Sequence, residues 1–78
     1  MRGKSLKLIV TFKGGTDALA FERYCQAREV PGRLIPTPRA LSESCGLAWM
    51  AEPEFRKEIE KAAQEGGLVF ERFVELVC

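Results

Sequence analysis

Histidine is absent from these 78 residues, and the three cysteines, Cys25, Cys45 and Cys78, form no CxxC pair. A structural zinc site draws on clustered cysteine and histidine, and a disulfide framework needs an even set of cysteines. Neither is expected, so the thiols read as reduced and no metal or other cofactor is called for. Charge of one sign is also missing: 12 basic and 11 acidic residues, well mixed along the chain, leave a formal charge of +1. Proteins that grip a phosphate backbone cluster lysine and arginine, so nucleic acid is not an expected partner. Long apolar runs are lacking too. No stretch approaches the ~20 residues needed to span a bilayer, and Met1-Arg2-Gly3-Lys4-Ser5 leads into a short strand-like pattern rather than the apolar centre of a signal peptide. The expectation is a cytoplasmic protein with no membrane partner.

What is present reads as one domain, 1–78, of alternating short elements. Leu6, Leu8, Val10 and Phe12 alternate with Lys7, Ile9, Thr11 and Lys13, the period-two pattern of a strand with one buried face. Lys13-Gly14-Gly15-Thr16 turns the chain, with Thr16 as candidate N-cap and Asp17 placed to complement the helix dipole. A helical stripe of Ala18, Phe21 and Cys25 follows, to about Arg28. Val30-Pro31-Gly32 is a turn, Arg33-Leu34-Ile35 a short strand, and Leu47 to Ala51 another. Glu52-Pro53 opens a second helix, whose Phe55, Ile59, Ala62 and Ala63 share one face and which Gly66-Gly67 ends. Leu68 to Val77 is the last strand, with its register open because Arg72 lies on one face and Glu71 and Glu75 on the other.

Strand, helix, strand, strand, helix, strand is the ferredoxin-like βαββαβ order of an α+β sandwich: a four-stranded antiparallel sheet in the spatial order 4-1-3-2 with both helices on one face. That arrangement puts the second strand at an edge, where Pro36, which has no N–H for the ladder, is tolerated. The competing reading is an irregular α/β domain in which 33–46 is loop throughout. Metallochaperones of this strand order carry CxxC in the first loop, where this chain has Lys13-Gly14-Gly15-Thr16, and the third strand lacks the aromatic and basic pattern of an RNA-recognition sheet. A domain this small buries a modest core, and one sheet face carries Ile9 and Thr11 with Trp49 or Met50. A homo-oligomer is therefore expected, as a dimer through the sheet or its edges.

Restricted and reactive residues concentrate between Ile35 and Gly46. Pro36 and Pro38 fix their own φ and push Ile35 and Thr37 toward extended backbone, and Ser42-Glu43-Ser44-Cys45-Gly46 follows. In the ferredoxin-like order this loop faces Lys13-Gly14-Gly15, so Cys45 would stand near a helix N-terminus. Free amides there, the positive end of the dipole, and Lys13 or Arg39 would favour thiolate over thiol. Pro36, Thr37, Pro38 and Ser44 would shape the loop, and Gly14-Gly15 could cradle an anion. The alternatives stand beside this. Cys45 also reads as a small buried hydrophobe at a strand start. Thr37-Pro38 also reads as the start of a single helical turn that would set Cys45 at its negative end, and Gly14-Gly15 as plain turn chemistry. Cys25 reads as a core residue about 15 Å from that loop, given a helical rise of ~1.5 Å per residue, and Cys78 as an exposed end residue.

Arg33-Leu34-Ile35-Pro36-Thr37-Pro38-Arg39, then Leu41-Ser42 and Ser44-Cys45-Gly46-Leu47, resembles the selenium/sulfur (Se/S) carrier protein-like family of small bacterial domains. Ile9-Val10-Thr11-Phe12 and Asp17-Ala18 with Glu22 resemble that family's first strand and helix. The resemblance implies that Cys45 accepts sulfur or selenium as a persulfide or selenosulfide, with Arg39, Lys13, Gly14, Gly15 and Gly46 holding the anionic adduct and donor and acceptor proteins as partners. Better understood sulfur carriers have proline after the acceptor cysteine, whereas Gly46 stands here. Two functions follow as expectations: a carrier with no turnover of its own, or a non-catalytic regulatory or interaction module that binds through its open sheet face or edge.

Overall fold

The structure, a computed structural model, describes residues 5–38, 41 and 46–77. Strand β1 (Leu6–Thr11) leads into helix α1 (Gly15–Ala27), strand β2 (Arg33–Pro36) and strand β3 (Leu47–Ala51). A 3-10 turn (Pro53–Phe55), helix α2 (Arg56–Gly66) and strand β4 (Arg72–Val77) follow. The sheet runs β2-β3-β1-β4 with every pairing antiparallel, which is the ferredoxin-like arrangement expected from the order of elements. No helix among the described residues is long and apolar enough to cross a membrane.

Register explains how alternation becomes a core. Val10 lies opposite Trp49 on one side and Phe73 on the other, and Leu8 opposite Ala51 and Glu75. Directly opposed residues share a face, so Leu8, Val10, Trp49, Ala51 and Phe73 all point one way. Both helices cover that face: Ala18, Phe21 and Cys25 of α1 and Ile59 and Ala63 of α2 join Leu8, Val10, Phe12, Trp49 and Ala51 in one buried cluster. Phe21 is its aromatic hinge, edge-on to Phe12 at 5.3 Å and tilted to Trp49 at 5.9 Å between ring centres. Each such side chain contributes about 1.5–3 kcal/mol by leaving water. Ile9, Thr11 and Ala48 lie on the other face and are also fully buried, with Met50 opposite Ile9. Of the two residues considered for that face, it is Met50 that lies there.

The ends of the elements differ from the sequence reading in detail. The N-cap of α1 is Gly14, in extended conformation and with no side-chain cap, and Thr16 sits inside the first turn. Asp17 is in that turn, as its complement to the dipole requires. Helix α1 closes on Glu29, which takes the left-handed φ of 57°, while Val30 N–H reaches Cys25 O at 2.8 Å. Helix α2 closes on Gly67 with the same hand, φ 59°, and Leu68 N–H reaches Ala63 O at 2.9 Å. Because Leu68 completes that cap, β4 begins only at Arg72. Its register is settled by pairing: Phe73, Glu75 and Val77 face the helices, and Arg72, Val74 and Leu76 face away.

Candidate functional site

Four chain segments share the end of the sheet where β1 finishes. Thr11 pairs with Ala48, Ala48 with Ile35, and Leu47 with Pro36. Thr11 also pairs with Arg72, so the end of β1 with the Lys13-Gly14 turn, the end of β2 and the starts of β3 and β4 share one end of the sheet. Thr37 N–H donates to Gly46 O at 2.9 Å, which extends the β2–β3 pairing one step past Pro36 and closes the loop between them at its base. Leu41 N–H donates to Pro38 O at 3.0 Å, which holds Leu41 close to the second proline. Prolines suit both places, since neither needs to donate there. Of the residues assigned to a site from sequence, Lys13, Gly14, Gly15, Pro36, Thr37, Pro38 and Gly46 are gathered at this end. Arg39, Ser44 and Cys45 lie outside the described residues, as does Cys78.

The glycines at this end differ physically from those elsewhere. A methyl group added at Gly14, Gly15 or Gly46 would meet nothing within 4 Å, and Gly14 has a φ of −145° that any residue adopts. Packing and backbone conformation thus leave these positions free of any demand for glycine, and the space above the turn is open. Gly32 is the contrast. Its φ is 137°, and a methyl there would stand 2.4 Å from Trp49 Nε1. The first turn of α1, capped by a residue with no side chain, presents its backbone N–H groups toward this open end. Such a terminus favours negative charge.

Cys25 is fully buried in the core between α1 and the sheet, as its place on the helical stripe foretold. Burial pushes its thiol from 9.0 up to about 11, so it is a poor nucleophile near neutral pH.

A second feature was not anticipated. Helix α2 starts beside β4, where Arg56 Nη1 donates to Glu75 Oε2 at 3.1 Å and its guanidinium stands 5.7 Å from the Phe73 ring centre. The helix ends against α1, with Glu65 3.7 Å from Arg28 and Gly66 against the Tyr24 ring. Because α2 departs from β4 along its length, a groove of about 710 Å³ opens between them, bordered by Arg56, Glu60, Gln64, Leu68, Phe70 and Phe73. Hydrogen bonds from Arg56 to Glu60 and then Glu75 raise the guanidinium pKa above its ordinary value. The sequence held one signal for this groove: Leu68-Val69-Phe70 directly after a helix stop is more apolar than a turn requires.

A family model described as "Putative Se/S carrier protein-like" matches residues 7–75. No curated protein and no solved structure matches the chain.

Proposed function

The chain belongs to the Se/S carrier protein-like family, and from that membership we propose that it carries sulfur or selenium on the thiol of Cys45. The Cys45 thiolate attacks the outer, sulfane sulfur of a donor persulfide. A new S–S bond forms on Cys45 as the donor's S–S bond breaks, and the donor leaves as its thiolate, so no external oxidant or reductant is consumed. Selenium moves in the same way when the outer atom is selenium. An acceptor enzyme removes the atom by the reverse attack, and the carrier itself turns nothing over. A cytoplasmic setting suits the reading, because thiols stay reduced there.

One observation supports the anion-holding half of this proposal. The loop between β2 and β3 is closed at its base by the Thr37–Gly46 hydrogen bond, at the same end of the sheet as Gly14 and Gly15. The loop that carries Cys45 in sequence thus leaves and rejoins the sheet at the same end as the open backbone amides of the α1 start, which supports the reading. Lys13 and Arg39 supply positive charge, Gly14, Gly15 and Gly46 allow close approach, and Pro36, Thr37, Pro38 and Ser44 set the loop's shape.

The test is intact mass after incubation with a cysteine desulfurase and cysteine. The expected result is a gain of one sulfur on the wild-type chain that is lost in Cys45→Ala. An unmodified mass under all loading conditions would overturn the carrier reading and leave the interaction module.

A further inference from the structure

We propose that this protein forms a two-fold dimer in which strand β4 pairs antiparallel with the β4 of a second copy, with Val74 on the axis. The inference is independent of any chemistry at Cys45.

The two edges of the sheet are unequal. Strand β2 is four residues long and ends in Pro36, features that discourage further pairing. Strand β4 is six residues long with no proline, and among the described residues β1 is its neighbour on one side alone. The exposed apolar side chains also favour this edge: Val69, Phe70 and Val77 are 57%, 37% and 59% exposed, and all lie in or just before β4. A six-residue strand with such flanks is a template for strand addition.

The charges and the length of β4 together select the register, since centring on Arg72 would set that guanidinium against its own copy and centring on Leu76 would pair only residues 75–77. A two-fold axis normal to the sheet keeps each face on its own side, so the residue on the axis opposes itself and its neighbours oppose one another in sequence. Centring on Phe73 would set Glu71 against the partner's Glu75. Centring on Glu75 would set that carboxylate against its own copy. Like charges directly opposed are unfavourable. Centring on Val74 avoids both and sets Phe73 against the partner's Glu75. Arg56 already stands over Phe73, so the partner's Glu75 arrives beneath a guanidinium, and the contact repeats across the axis. In this register Val77 comes diagonal to the partner's Phe73, and the grooves beside the two α2 helices merge across the joined strands.

Cysteine cross-linking tests this directly, in full-length chains carrying Cys45→Ser and Cys78→Ser, with Cys25 left in the core. Antiparallel neighbours are about 4.5–5.5 Å apart at Cα, within the span of a disulfide. The expected result is that Val74→Cys oxidises mostly to a covalent dimer while Phe73→Cys and Glu75→Cys do not, and that the wild-type chain sediments as a dimer. Preferred cross-linking at 73 or 75, or failure at 74 in a chain that still dimerises, would overturn the register or the edge. A wild-type monomer at high micromolar concentration would overturn the dimer and leave β4 to a strand from another protein.

Discussion

At the scale of single residues, the chain divides those that packing dictates from those it leaves open. Gly32 belongs to the first kind. Replacing it with alanine forces a side chain onto a backbone with φ near 137° and drives a methyl into the Trp49 indole, so strain and overpacking together should cost about 2–4 kcal/mol. Urea unfolding of Gly32→Ala checks this, and an unchanged midpoint would show that Trp49 can withdraw. Cys25 is the second residue the fold accounts for. Its thiol binds a proton more tightly folded than unfolded, so its contribution is complete below the unfolded value near 9.0 and is lost as pH rises toward about 11. Stability measured between those pH values should fall more steeply in the wild type than in Cys25→Val. Equal slopes would place the thiol in contact with water. Cys25 was legible in the sequence because a helical stripe announces burial. Gly32 was legible only as a turn, since nothing in the sequence says that Trp49 lies against it.

At the scale of elements, the alternation of Leu8, Val10 and Phe12 and the glycine stops made the strands and helices readable, but their ends followed backbone geometry that side chains do not announce. Thr16 offers a better capping side chain than Gly14, yet the helix starts two residues earlier than that cap would allow. Glu29 is the clearer case. Helix α1 ends in a left-handed cap of the kind glycine normally fills, and a glutamate holds it at φ 57°. Glu29→Gly should therefore stabilise the protein by about 1 kcal/mol. A thermal midpoint that rises supports the cap as described, and one that falls would mean the Glu29 side chain contributes more than its backbone costs. The start of β4 was hidden for a related reason: Leu68 is apolar, but its N–H is committed to the α2 cap. Its register was hidden because Glu75 points to the helix side, which is tolerable only where α2 brings Arg56 beside an edge strand. Lateral placement of a helix over a sheet leaves no periodic trace in sequence.

At the scale of the whole molecule, the topology does the gathering. Antiparallel β3 returns the chain to the end of β1, so Lys13, Gly14 and Gly15 lie at the same end of the sheet as Pro36, Thr37, Pro38 and Gly46 although more than twenty residues separate them. That shared end was legible once the order of elements was read, whereas the groove between α2 and β4 was not, since it arises from the path of one helix. The family membership and the gathered end bear on one claim, that sulfur or selenium rides on Cys45. Its most direct test is to load the wild-type chain with sulfur from a cysteine desulfurase, digest it without reduction, and map the sulfane sulfur among the three cysteine peptides. The account predicts the added sulfur on the peptide containing Cys45 and none on that containing Cys25. Sulfur on Cys25 or Cys78, with Cys45 unmodified, would contradict it.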